Sequence, residues 1–355
     1  MSKARDIASA TTPNANAALL ATNSALLATF PHRNLIINGA MQVNQRGDST
    51  GVSNNNFYAS DRFKTSLNSM GTWNVENSSD APAGFSNSHK LTCTTPTGTL
   101  GATDVATCNY RIEAQDLQQL DYGSSEAKSF TISFYVKSNK TGNASLEISQ
   151  KDTTSVRSVL LQYNISSANT WEYKELTVTG DTAGQINNDN GEGMQIVWWL
   201  RSGADFTGGS HQTAWYTRVN ADRNASNLDV GATANDTWQI TGVQLELGEQ
   251  ATPFEHRSFG DELARCQRYC YRPFIKTSTS VDSELGYPRF FASLYNAGGQ
   301  VYITYPVSMR RDPVLTYSVQ SGTIDTDQSS YVRTTLRDSN DTAFYVYNFQ
   351  ADAEL

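Results

Sequence analysis

The chain has 355 residues, of which 38% are hydrophobic and 17% charged, and a formal net charge of −8. That length allows two or three domains with a sizeable core. The low charge and the surplus of Ser, Thr, Asn, Gln and Gly disfavour a helical bundle, because strands take up Thr and Tyr while turns take up Asn and Gly. The negative charge, with no block of Lys and Arg along the sequence to reverse it, argues against nucleic acid and against an anionic membrane surface as partners.

The first residues are polar and carry no apolar signal region, so synthesis in a cytoplasm is expected. Residues 16–22 read NAALLAT and residues 23–29 read NSALLAT. Leu19 and Leu26 are one heptad apart, as are Leu20 and Leu27, and a seven-residue apolar repeat lets helices from several chains share a seam. Two heptads are too few to hold such a helix alone. Self-association is the favoured reading of this segment; the other is an amphipathic helix lying on its own domain. Phe30-Pro31 ends it.

From residue 34 to about 256 the pattern is β. SFTISFYVK, Ser129 to Lys137, alternates as a half-buried antiparallel strand, and ASLEIS follows it after a Lys140–Asn143 turn, which predicts a hairpin. WEYKELTVTGD, from Trp171, is another strand. MQIVWWL, Met194 to Leu200, is a strand buried on both faces and too short to span a membrane. In WQITGVQLEL the apolar phase changes at Gly242, which predicts a bulge. Many short strands without alternating helices predict an antiparallel β-sandwich of jelly-roll type.

One helix is expected over residues 257–272, capped by Ser258 or Asp261, with Glu262 early and Arg265 and Arg268 late. It places Cys266 and Cys270 on one face and joins the sandwich to a smaller β domain, residues 273–355. There, Val301, Ile303, Tyr305 and Val307 share a face, and DTAFYVYNF puts aromatic residues on both faces, one for packing and one for a partner. Cys93, Cys108, Cys266 and Cys270 are expected as buried free thiols in a reducing compartment.

Motifs for hydrolases, zinc proteases, phosphate loops and dinucleotides are missing, the four histidines are scattered, and neither a catalytic residue nor a cofactor is assigned. Asp181, Asp189 and Glu192 cluster in a Gly/Asn-rich loop. A calcium site is one reading; a solvated turn is the favoured one, because the spacing of a calcium loop is missing. Arg46-Gly47-Asp48 reads as an ordinary turn rather than an adhesive tripeptide. Sugars stack their C–H faces on Trp and Tyr and bond amides through their hydroxyls. The sharpest such candidate is the Gly-rich loop Gly203 to Tyr216, with His211, Trp215 and Tyr216 as glycan contacts. The competing reading places Trp215 in the core, and the weight of large aromatics in cores favours it.

Three segments, NLIINGAMQVNQRG (34–47), YASDRF (58–63) and ITGVQLELGEQATPFEHRSFGDELARCQRY (240–269), resemble the tail-fibre and related virion structural proteins of marine and environmental phages. The strands between them are similar to the carbohydrate-binding-module-like sandwiches of those proteins, and YPVSMRRDPVLTYS (305–318) looks like their C-terminal module. ARDIAS resembles their leader, which implies that Ala4, Arg5, Asp6 and Ile7 attach to the virion. Phe63 departs from the pattern, since many relatives carry Trp there. The resemblance implies a non-enzymatic subunit of a tail or neck fibre on the outside of the virion. It would be a homotrimer, held to other virion proteins and meeting host surface polysaccharide. Residues 1–33 would be the attachment and oligomerisation segment. An architectural head or neck decoration without a ligand, and a polysaccharide depolymerase, are the competing readings.

Overall fold

The computed structural model describes residues 33–152, 155–273, 290–291, 300–320, 326–337 and 345–355. Ala4, Arg5, Asp6 and Ile7, and the heptad leucines Leu19, Leu20, Leu26 and Leu27, lie outside the described residues.

Two antiparallel sheets face each other. One has six strands in the spatial order β1 (Ser49–Val52), β4 (Thr72–Ser78), β5 (Ser88–Thr95), β13 (Thr237–Leu247), β7 (Phe130–Ser138) and β10 (Glu172–Val178). The other has seven: β12 (Tyr216–Thr217), β9 (Arg157–Ile165), β8 (Gly142–Gln150), β11 (Glu192–Ser202), β6 (Val105–Glu113), β3 (Phe63–Asn68) and β2 (Asn55–Ser60). The fold is thus a mainly β, antiparallel sandwich followed by smaller sheets. The alternation that marks β7 explains the core: Phe130, Ile132, Phe134 and Val136 are fully buried between the sheets. Each such side chain contributes about 1.5–3 kcal/mol on leaving water. Phe134 meets Trp198 of β11 edge-on at 5.8 Å, and Phe63 lies 5.0 Å from Tyr110, so the Phe63 position is core.

The bulge falls where the phase changes. Thr241 pairs with Tyr135 and Gln244 with Ser133, so two residues of β13 oppose one of β7, and Gly242 takes φ +61°. A Cβ at Gly242 would also meet the Phe85 ring at 2.7 Å. The expected hairpin is corrected. β7 belongs to the six-stranded sheet and β8 to the seven-stranded one, and the hairpin is β8 with β9. The segment 139–141 is a corner between sheets, with Gly142 at φ +132°. Turn residues announce a reversal but not which sheet receives the next strand.

The helix is shorter than expected. α1 runs Phe259–Gln267 and is capped by Ser258, whose hydroxyl accepts from the Asp261 N–H at 3.2 Å. Cys270 therefore does not share a helix face with Cys266; it sits in β14 (Cys270–Tyr271). All four cysteines are free and buried, and Cys93 and Cys108 lie on opposite sheets. Beyond the helix, β14, β15 (Phe290–Phe291) and β17 (Val314–Gln320) all pair with β20 (Tyr345–Asp352). A second small sheet holds β16 (Gln300–Thr304), β19 (Arg333–Arg337) and β18 (Thr326–Ser329). Their core is modest: Ile303, Tyr305, Met309, Leu336 and Phe349 lead it.

The three segments that carry the family resemblance meet in space, at the joint between the sandwich and these sheets. Asn38 donates to the Val43 and Asp61 carbonyls at 2.9 Å. Gln45 donates from its backbone and side chain to the Asp61 carboxylate and from its side chain to the Cys270 carbonyl. Arg46 reaches Asp352 at 3.1 Å and Glu354 at 3.3 Å, while Arg62 pairs with Glu354 and lies 3.4 Å over the Tyr269 ring. Arg46 is spent in this network, which answers the tripeptide reading: its guanidinium is buried, and the Asp48 carboxylate accepts from the Asn77 N–H. Burying so many charges is tolerated only because each is paired and hydrogen-bonded.

Candidate functional site on the outer face of the seven-stranded sheet

Strand alternation sends every second side chain of the seven-stranded sheet away from the core. Register aligns these side chains in rows. One row runs Leu160, Glu147, Val197, Asn109 and Lys64 across β9, β8, β11, β6 and β3. The next runs Tyr216, Ser158, Ser149, Gln195 and Arg111. On the other side Trp199 stands opposite Thr107, which stands opposite Ser66.

This face is recessed. Thr107 and Asn109 are only 5% exposed and Gln195 only 7%, although all three point away from the core. They form a polar floor. The Asn109 amide donates to Thr107 Oγ1 at 2.9 Å and to Ser66 Oγ at 3.2 Å, and its oxygen accepts from Gln195 at 3.3 Å. Amides and hydroxyls fixed in this way present their remaining lone pairs in set directions. Val197 lies buried between Asn109 and Glu147 as an apolar strip of the same floor.

The segment 203–231 walls one side. Arg223 stacks over Trp199 at 4.9 Å and binds both oxygens of the fully buried Glu147, at 3.1 and 2.9 Å. The Trp199 N–H donates to the same carboxylate at 3.1 Å. His211 clasps this wall to the sheet: its Nε2 lies 2.7 Å from Ser226 Oγ, and Gln162 of β9 donates to the same hydroxyl. Burial pushes the His211 imidazole below its ordinary value.

The three residues singled out in the sequence point in different ways. Trp215 turns inward, packs against the core margin, meets Tyr122 edge-on at 5.7 Å and donates to the Thr179 carbonyl at 2.7 Å. Tyr216 turns outward at the sheet edge, opposite Ser158, and burial, then Asp222, pushes its phenol up to about 12. The floor itself was missed. Its signal was the alternation of Thr107, Asn109 and Arg111 with Cys108, Tyr110 and Ile112, and a lone Gln195 inside an apolar run.

Cations that are scattered in the sequence gather here. Arg111 pairs with Glu192 at 3.3 Å, and Arg218 stands 3.9 Å from Glu147. Burial, then Arg111, pushes the Lys64 ammonium below its ordinary value. Burial does the same at Lys151, where Arg218 and Arg111 add to the effect and Glu192 opposes it. The loop acids are engaged within the chain. Asp181 is held by Arg157 at 2.6 and 3.0 Å, Asp189 accepts from the Gly191 N–H, and Glu192 pairs with Arg111. Among the described residues no group of three or more His, Cys, Asp or Glu side chains is placed to hold a metal ion, and no helix is long and apolar enough to cross a membrane.

No family model and no curated protein sequence matches the chain. Solved structures are similar to it at low identity. The enzymatically active domain of bacteriophage CBA120 tailspike protein 4 aligns at 14% identity and a TM-score of 0.31, over 62% of this chain and 22% of that one. A family 16 carbohydrate-binding module aligns at 12% and 0.29, over 60% and 99%. The family 11 carbohydrate-binding module of a Clostridium thermocellum cellulosomal cellulase aligns at 11% and 0.29, over 58% and 97%.

Proposed function

We propose that the chain is a non-enzymatic, glycan-binding subunit of a phage fibre, exposed on the virion and assembled from three copies. The recessed floor of Thr107, Asn109 and Gln195 carries the binding part of this reading. It offers amide and hydroxyl groups around an apolar strip, which is what a sugar's hydroxyls and C–H face require. Both acids that face the floor are paired with arginine, Glu147 with Arg223 and Glu192 with Arg111, which supports binding over hydrolysis. The virion role rests on the family resemblance of residues 34–47, 58–63 and 240–269. Self-association draws support from exposed Tyr302 and Val314 on the small sheets and Tyr331 and Val332 in the turn between β18 and β19. Three weak sites on one fibre would gain avidity on the order of 10²–10⁴.

The test is affinity electrophoresis of the full chain through gels containing host-surface polysaccharide. Retardation that drops at least about tenfold in the Asn109→Ala/Gln195→Ala double variant supports the reading, since each lost buried contact is worth about 1–3 kcal/mol. No retardation would favour a purely architectural protein, and released reducing ends would favour a depolymerase. Light scattering with and without residues 1–33 reads the assembly. A trimer lost on truncation places the clasp in the leucine repeat, and one retained places it in the β domains. A monomer in both cases overturns the fibre.

A further inference from the structure

The net charge of the chain and the charge of the recessed face have opposite signs. Five cations, Lys64, Arg111, Lys151, Arg218 and Arg223, face two acids, Glu147 and Glu192; a third acid near Lys64, Glu354, is paired with Arg46 and Arg62. Arg223 is taken by Glu147 and Arg111 by Glu192. Lys64, Lys151 and Arg218 remain as surplus, in a chain whose net charge is −8. Among the described residues neither lysine ammonium makes an ion pair or a hydrogen bond to another side chain.

Placement makes the surplus more than a surface charge. Lys64 shares its row with Asn109 and Val197, and Lys151 follows the last residue of β8, beside the Ser149–Gln195 row, where its backbone N–H binds the Gly193 carbonyl at 3.1 Å. Arg218 follows β12, with its N–H on the Val156 carbonyl at 2.9 Å. A half-buried cation without an acid costs stability that an exposed one does not. Lys64 and Lys151 are two such cations, Arg218 is only loosely paired with Glu147 at 3.9 Å, and together they mark a place where a negative charge is to be received.

We propose that the ligand of this face is an acidic polysaccharide, one whose sugars carry carboxylate or sulfate groups. The floor amides take the hydroxyls, and Lys64 and Lys151, with Arg218, take the anionic substituents. This rests on the glycan-binding reading above and adds the substrate class to it. A neutral glycan would satisfy the floor and leave the surplus cations buried further without partners. Duplex DNA is a poor occupant: its dense charge meets a chain that is negative elsewhere.

The experiment uses the full chain and matched probes. Polygalacturonate is compared with its carboxyl-reduced form, dextran sulfate with dextran, and duplex DNA serves as a polyanion control, all by titration calorimetry at low and at raised NaCl. Mannan and xylan complete the neutral set. Binding to polygalacturonate or to dextran sulfate, but not to the neutral partner or to DNA, supports the proposal and identifies the anionic group. The affinity should fall with salt. It should also fall about tenfold or more in Lys64→Glu/Lys151→Glu, whose far-UV circular dichroism should stay that of the parent. Equal binding of charged and neutral partners, or binding of mannan, xylan or dextran alone, overturns the acidic class and leaves glycan binding standing. Binding of DNA as tight as that of the polysaccharides means unspecific attraction and also overturns it. No binding to any polysaccharide overturns both. Salt dependence of the parent protein decides the matter even if the double variant fails to fold.

Discussion

The joint and the recessed face are both built of polar residues that strand alternation would have left in water, yet they treat charge in opposite ways. At the joint Arg46 pairs with Asp61, Asp352 and Glu354, Arg62 with Glu354, and Arg268 with Glu113, while buried Arg310 is held by the Ala353, Asn190 and Glu354 carbonyls. On the recessed face the pairing is left incomplete, with neither Lys64 nor Lys151 in an ion pair among the described residues. A closed network specifies structure. An open one stores a cost that a partner relieves, as binding sites do. Rigidity is expected at the joint and a ligand at the recessed face.

The contrast is open to attack by substitution. The largest effect is expected at the joint. Arg62→Ala leaves Glu354 short of a partner and strips the Tyr269 face, so denaturant unfolding should show a loss of about 3–5 kcal/mol. A loss no larger than that of a surface substitution would mean that the network is not closed.

The core shared by both regions supplies the second test. His89 is fully buried beside Thr65, 2.9 Å from its hydroxyl, and burial pushes its imidazole down to about 3. Unfolded, the ring titrates near 6.5. Below 6.5 the unfolded state therefore binds a proton that the folded state refuses. Stability from this group is full above about pH 6.5 and is lost as pH falls toward 3, by about 1.4 kcal/mol per pH unit. Asp61, pushed up to about 6 by burial, tilts the curve the other way, so the test is the difference between parent and His89→Gln melting curves across that window, which should show this slope.

On the recessed face the effects should be smaller and of mixed sign. Asn109→Ala removes contacts to Thr107 and Ser66 and should cost about 1 kcal/mol in thermal unfolding. Lys64→Gln should raise stability by a few tenths of a kcal/mol or more, because it deletes a half-buried cation that makes no ion pair among the described residues. If Lys64→Gln destabilises instead, the face is as closed as the joint and the comparison fails.

Much of the sandwich was legible in the sequence. The alternation of Phe130 to Lys137, the doubly buried run around Trp198 and the phase change at Gly242 each correspond to a strand or bulge in the structure. What escaped was the assignment of strands to sheets. Lys140–Asn143 reads as a hairpin turn and is a corner, because a turn's chemistry is local and the choice of sheet is not. Cys266 and Cys270 parted company for a related reason: the helix stops at Gln267 once β14 is claimed by β20. The site was harder still. Lys64, Asn109, Glu147 and Val197 come from four strands and meet only through register. Aromatic enrichment instead drew attention to Trp215, whose ring turned out to face inward. The segments that carry the resemblance to fibre proteins meet at the joint rather than at the recessed face.

The pairing of Arg62 with Glu354 has a consequence in time. The two residues are 292 positions apart. At ordinary rates of translation, Glu354 leaves the ribosome roughly 15 to 60 s after Arg62 does. The sandwich strands are complete by Leu247, so the sandwich can fold while its two arginines and the edge of β14 still wait for β20. Throughout that interval the vacant slot is addressed to a sequence and not to a particular molecule. In a crowded polysome the last strand of a sister chain fits it as well as its own, which makes the joint the natural place for neighbouring chains to exchange strands.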